Sequence, residues 1–391
     1  MGGLDLQQRR TLTWAGLAVV LSSFGGSALI LGLPSIATDF HASVPALSNL
    51  GSLLALGALG SLPLATLADR FGRRRLIAVG VAGFSIANFG SAFAPSLGSL
   101  AWLRMAAVCF EALVGSVATA LIVEEAPPGR RGQAVSVLAI LSGAGLLVAI
   151  IIYPILAPHW RWIFAFGGIG LFAAPVIWAR LPEGRAWHRV HQTGSALRLL
   201  LRPPWRRRVA ILAATSAVVS VLLEPAGLFY TVFASSALRL TPTAISVVIF
   251  FSGAAALVSY LPGGFLSDRY GRRVPAVLLT AGYTVATAAS FVTGTVGFIA
   301  GNLVWSALAS AATPVMGAWS GELYPTRARA SAEAIGGVTG ALGGIAGLQV
   351  VGLLAQRFGL GGALVLAGGV ATTGALLLLF LPETRGQPLP D

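Results

Sequence analysis

Lysine is missing from this 391-residue chain; all 26 basic residues are arginines. Acids number 13, so charged residues make up 10% of the chain, against roughly 25% in a soluble domain. So few charges cannot clothe a water-facing surface of this size. The single cysteine, Cys109, lies in an apolar run, which excludes an intramolecular disulfide and a cysteine metal cluster. The four histidines, His41, His159, His188 and His191, have no convincing metal-ligand spacing. Glycine-rich stretches lack the strand context and the lysine of nucleotide-binding loops, which argues against ATP-driven work. No nucleophile–base constellation is evident, so neither an enzyme nor a bound cofactor is expected. The net charge is +13. Its arginines fall in short bursts between apolar runs, not on one face, so nucleic acid is not an expected partner.

What the chain does have is apolar length. Hydrophobic residues make up 56% and glycines number 49, and small residues let membrane helices approach closely. A bilayer core takes about 20 apolar residues per helix. Twelve runs qualify: 11–33, 46–67, 76–94, 100–123, 133–156, 162–181, 209–234, 244–266, 274–292, 296–319, 332–354 and 360–381. The first follows Arg9 and Arg10 as a signal peptide would, but its length and its successors mark it as a span. With the N-terminus in the cytoplasm, 22 arginines lie on the cytoplasmic side. Arg161, Arg239 and Arg357 lie outside, and Arg104 lies in a span. The positive-inside rule therefore predicts cytoplasmic termini in a cell (inner) membrane.

The longest break, 182–208, holds seven arginines and separates an N-terminal bundle at 1–181 from a C-terminal one at 209–391. It is read either as a segment lying on the anionic lipid of the inner leaflet or as a solvated linker. The two halves repeat. Asp69-Arg70-Phe71-Gly72-Arg73-Arg74 returns as Asp268-Arg269-Tyr270-Gly271-Arg272-Arg273, an offset of 199. Glu124-x-x-Pro127-x-x-x-Arg131 returns as Glu322-x-x-Pro325-x-x-x-Arg329, an offset of 198. Leu181-Pro182-Glu183 returns as Leu381-Pro382-Glu383, an offset of 200. Three matches at nearly one offset identify a duplicated six-helix unit.

In these motifs the chain resembles the major facilitator superfamily, nearest to its sugar-porter and metabolite–proton symporter branches. The Pro382-Glu383-Thr384-Arg385-Gly386 ending points the same way. There are departures: Ala65 and Ala330 stand where glycine is usual, as does Val108. Ser142-Gly143-Ala144-Gly145 lacks the Gly-Pro element of drug–proton antiporters. The resemblance implies an all-α membrane fold of twelve helices in two six-helix bundles, with helices 1, 4, 7 and 10 lining a central cavity that opens to one side at a time. It also implies gating residues at the cytoplasmic edge: Asp69, Arg70, Gly72, Arg73, Asp268, Arg269, Gly271 and Arg272, with Glu124, Arg131, Glu322 and Arg329. The rival reading of the Asp-Arg-x-Gly turn is topology and turn geometry alone.

Three charges fall clearly within spans: Arg104, Glu111 and Glu224. Each costs about 2.5–3.5 kcal/mol at a helix centre on insertion scales, so each asks for a reason. Arg104 is read as a tie to neighbouring backbone or as a site for an anionic substrate group. Glu111 and Glu224 are read as proton-coupling or cation-binding groups, or as satisfied hydrogen-bond partners. Glu224 is slightly favoured for coupling because Pro225 disturbs its helix. Arg104 and Glu111 share a face two turns apart, a separation that predicts no direct pair along the helix. Asn302, Trp305, Tyr230, Ser23 and Ser27 are weaker substrate-contact candidates. Gly336, Gly340 and Gly344 mark a close helix contact.

These observations predict a secondary transporter that moves a small organic solute with protons; sugar, organic acid and aromatic acid stay open. Proton-exchanging efflux of drugs or metabolites is the alternative, and a non-transporting receptor or scaffold a third reading. A monomer is expected.

Overall fold

The computed structural model describes residues 6–66, 71–125, 131–183, 199–325 and 328–386. These residues are helical throughout, with no strand among them, as a lipid environment demands of a chain that must satisfy its own backbone. In the first half the helices are α1 (Leu6–Asp39), α2 (Val44–Thr66), α3 (Arg73–Ser91), α4 (Leu97–Glu125), α5 (Arg131–Leu156), α6 (Trp160–Gly167) and α7 (Gly170–Arg180). The second half has α8 (Trp205–Ser236), α9 (Pro242–Tyr270), α10 (Arg273–Ser290), α11 (Gly294–Leu323) and α12 (Arg329–Leu377).

Eight stretches are long and apolar enough to cross a membrane. Two of them, Val137–Arg180 with 44 residues and Ser331–Phe380 with 50, are about twice the length one crossing needs. The first is interrupted by a 3-10 turn at Ala157–His159 and again between α6 and α7. The second turns at Gly359, whose backbone (φ 69°, ψ 167°) is non-helical. α3 and α10, with 19 and 18 residues, are shorter helices of about single-span length. Several helices overrun the apolar runs read from the sequence. α1 begins at Leu6 and ends at Asp39, because polar residues at the bilayer edge still continue a helix.

The chain divides into two compact units. One comprises Met1–Ala42 and Leu53–His191; the other comprises Ser43–Ser52 and Gln192–Asp391. In the first, α1 packs on α4 and α5, and α3 packs on α4 and α7. Its core is built from Ile77, Val81 and Phe84 against Leu113, Val114 and Leu121. In the second, α8 and α10 each pack on α12, and α10 also packs on α11. Trp319, Val315, Leu323 and Leu378 centre its core. Outward faces stay apolar: Leu257, Val258, Leu261 and Phe265 of α9 are all exposed, the pattern of a surface meeting lipid tails, not water.

The α12 glycines singled out above all meet α8: Gly340 and Gly344 lie against Ser216 and Glu224, and the Gly336 carbonyl accepts from the Ser216 hydroxyl at 2.8 Å. The closest approach falls instead at Gly343 and Gly347, which lie against the backbone of Ala217 and Val221.

Candidate functional site

The buried charge in the first unit is organised around Arg104. Its side chain is 0% exposed, and three helices supply its partners. One guanidinium nitrogen donates to Asn88 Oδ1 of α3. Another donates to the Gly25 carbonyl of α1 at 3.2 Å. The face of Phe164 on α6 lies 5.2 Å from the guanidinium carbon, a cation–π distance. Arg104 therefore carries its charge at membrane depth on hydrogen bonds and a ring face, which offset part of its desolvation.

Glu111 joins this group. Its Oε1 is 3.7 Å from Arg104 Nη2 and accepts from Asn88 Nδ2 at 3.4 Å. The expectation that the two charges are too far apart to pair is thus corrected. Seven residues of rise is about 10.5 Å, and side chains on a helix lean toward its N-terminus. Both residues share that lean, so the gap is spanned by the length of the two side chains, which bring Nη2 and Oε1 to 3.7 Å. Asn88 was not anticipated. It is buried, and it turns its carbonyl to the cation and its amide to the anion. Gly25 explains why α1 comes so near: a Cβ there would lie 2.5 Å from Glu111 Oε1 and 2.7 Å from Asn88 Nδ2. Ser23 donates to the Ser142 carbonyl of α5 at 2.7 Å. Ser27 donates to the Ser23 carbonyl at 2.8 Å. Ser23 thus ties α1 to α5, while Ser27 bonds within its own helix.

In the second unit Glu224 of α8 is exposed, and its stem lies against Gly344. Asn302 is buried; it donates to the Phe298 carbonyl at 2.7 Å and accepts from Trp305 Nε1 at 2.8 Å. Tyr230 stacks near Phe298, with centroids 5.0 Å apart. Asn302, Trp305 and Tyr230 thus form one polar–aromatic patch, which does not hold Glu224.

The repeated turn motifs share a backbone device. Gly72 and Gly271 have φ of 88° and 87°, a conformation that costs other residues strain. In each repeat the glutamate of the Leu-Pro-Glu segment caps the helix that follows. Glu183 accepts from the backbone N–H of Arg73 at 2.7 Å and of Arg74 at 3.2 Å. Glu383 accepts from the N–H groups of Arg272 and Arg273, and also of Thr384 and Arg385. Burial pushes the Glu383 carboxyl up, but these four donors outweigh it and hold it below the ordinary glutamate value of 4.5. A β-carbon at Gly271 would come 2.6 Å from Glu383 Oε2, so glycine is needed for room as well as for φ.

Arg272 extends this group. Its guanidinium binds Glu322 at 2.9 Å, Asp268 at 2.9 Å and Ser267 at 2.8 Å. Thr384 also donates to Glu322, at 2.5 Å. The Glu322 bond, with help from Asp268, raises the Arg272 pKa. The place at the helix N-terminus thus belongs to Glu383, while Asp268 is 79% exposed and held by Arg272. Arg269 lies over the Tyr270 ring and gives its carbonyl to Arg385. Arg329 donates to the Tyr324 carbonyl at 3.1 Å. Asp69 and Arg70, and the side chains of Glu124 and Arg131, lie outside the described residues, as does most of the basic 182–208 segment.

A chain whose described residues are helical, with apolar outward surfaces and a charge cluster held within a bundle, is a polytopic membrane protein. Comparison with known proteins places it further: the family model described as Major Facilitator Superfamily matches residues 15–235 and 225–391, and the chain belongs to that family. It is 28% identical over 412 residues to the 3-(3-hydroxy-phenyl)propionate transporter of Escherichia coli strain K12, covering all of this chain and 94% of that protein. It is 26% identical over 369 residues to a putative niacin/nicotinamide transporter of Bacillus subtilis strain 168, with 90% of each covered. A 33% identity to the puromycin resistance protein of Streptomyces alboniger spans 202 residues, 48% of this chain but only 38% of that one. Among solved structures, a D-xylose-proton symporter superposes with a TM-score of 0.81 at 20% identity, over 98% of this chain and all of that one. The chain is thus a transporter-family protein and not an enzyme.

Proposed function

We propose that this protein is a proton-coupled carrier of small ring-bearing carboxylic acids, crossing the inner membrane twelve times with both termini in the cytoplasm. The twelve crossings follow if each double-length stretch counts as two and α3 and α10 each count as one. The observation that carries the coupling is the Arg104–Asn88–Glu111 cluster. With Glu111 ionised, its carboxylate occupies part of the Arg104 guanidinium. A proton on Glu111 removes that competitor, and the freed N–H groups donate to a substrate carboxylate. One proton and one monocarboxylate then cross together with no net charge, which suits a low-dielectric path. The relatives support the substrate class, since niacin and 3-(3-hydroxyphenyl)propionate each join an aromatic ring to a carboxyl group. Glu224, exposed on α8, is the second acid of the proposed path.

The test is uptake of radiolabelled nicotinate and 3-(3-hydroxyphenyl)propionate into proteoliposomes under an imposed pH gradient, with D-xylose as the uncharged control. Glu111→Gln is expected to keep substrate counterflow and lose uphill accumulation. Wild-type accumulation in Glu111→Gln would remove Glu111 from the coupling path, and transport of D-xylose alone would overturn the acid specificity. A second reading, drug export, draws on the match to the puromycin resistance protein and on an exposed carboxylate at Glu224 suited to a cationic drug. It predicts that puromycin, not the acids, dissipates the gradient.

A further inference from the structure

A pocket of about 500 Å³ opens in the second unit where the starts of α8 and α10 meet the end of α12. Arg207, Arg208 and Arg273 line it, and Ile211, Leu379 and Phe380 form an apolar wall. No carboxylate of the described residues lies within ion-pair distance of these three guanidinium groups. Glu383, close by in sequence, turns its carboxylate to four backbone N–H groups. Arg208 is held in place: one nitrogen donates to the Leu323 carbonyl at 2.9 Å, and its guanidinium carbon lies 4.9 Å from the Trp205 ring centroid. A guanidinium has five donors, so most of them stay available to a ligand.

We infer that this pocket binds the phosphodiester headgroup of an anionic phospholipid from the cytoplasmic leaflet. The charge calls for an anion, and the wall calls for an amphiphile. A free phosphate would use the three arginines and leave the apolar side bare. Leu379 and Phe380 are 41% and 63% exposed, and they carry the pocket out toward the lipid-facing surface. Three helix ends converge here, at Trp205, Arg273 and Phe380, so the guanidinium groups lie where headgroups lie. The inference is independent of which solute is carried.

The experiment titrates the full chain in detergent with phosphatidylglycerol or phosphatidylcholine and counts retained lipid by native mass spectrometry. Inorganic phosphate is a separate competitor. A basic residue near an anionic leaflet adds about fivefold in binding. Arg207→Gln alone, at an exposed side chain, is therefore expected to lose about fivefold, and the Arg207→Gln/Arg208→Gln/Arg273→Gln variant on the order of a hundredfold. Arg239→Gln/Arg357→Gln, away from the pocket, is expected to keep parental binding. Photoactivatable phosphatidylglycerol is expected to label peptides covering 204–211 and 379–382. The proposal fails if both lipids are retained equally, if Arg207→Gln and the triple variant bind as the parent does, or if label lands elsewhere. Full displacement by inorganic phosphate would make the site one for a free anion and would equally overturn it.

Discussion

Replacing Asn88 with leucine tests the cluster at its least obvious member. Leucine keeps the branching and approximate volume, so the close fit to Gly167, whose added β-carbon would meet Asn88 Cβ at 3.0 Å, is preserved. What is lost is the acceptor for Arg104 and the donor for Glu111. A hydrogen bond to a charged group contributes about 1.5–3 kcal/mol in water-soluble proteins. Interhelical bonds in membranes average nearer 0.6 and reach about 1.7 kcal/mol. The 3.4 Å bond to Glu111 is long and adds little. Arg104 is fully buried, so the upper membrane figure applies, and Asn88→Leu is expected to cost about 1.5–2 kcal/mol. Unfolding free energies from denaturing-detergent titration in mixed micelles measure this directly. In an Arg104→Gln background the same change is expected to cost at least about 1 kcal/mol less, because the bond is already gone. If the two substitutions add to within about 0.5 kcal/mol, Asn88 and Arg104 are not coupled and the cluster reasoning is wrong.

Two further expectations concern the chain ends and the caps. Reporter fusions after Leu33 and Val292 are expected to read as periplasmic, and a cytoplasmic signal at either would break the proposed twelve-span map. Because the folded-state pKa of Glu383 lies below 4.5, its stabilisation is fully present above that value and is lost as pH falls through the folded value. Acidification below 4.5 is therefore expected to lower the melting temperature, and Glu383→Gln to flatten that dependence; identical pH profiles for the two proteins would show that the cap carries no linked stability.

The fold was legible because apolar runs near 20 residues and a 199-residue repeat are properties of the chain itself, needing no knowledge of contacts. Arg104, Glu111 and Glu224 stood out for the same reason, as charges where charge is costly. Their partnerships did not. Helix rise alone sets the Arg104–Glu111 separation in the sequence, while the pair is made by side-chain reach. Asn88 gave no periodic signal, since one amide in α3 becomes meaningful only when α1 and α4 close around it. Glu183 and Glu383 were visible as a repeated Leu-Pro-Glu, yet their partners are backbone N–H groups some 110 residues earlier, and backbone donors leave no trace in a sequence.

Those two caps also order the making of the protein in time. Glu183 closes onto the start of α3, so the first unit has its own fastening before any of α8 exists. The second unit waits for Glu383, which leaves the ribosome 200 residues later. At about 5–20 residues per second, the cap of α3 is available about 10–40 s before Glu383 follows, and α10, made in between, waits for its cap with a bare N-terminus.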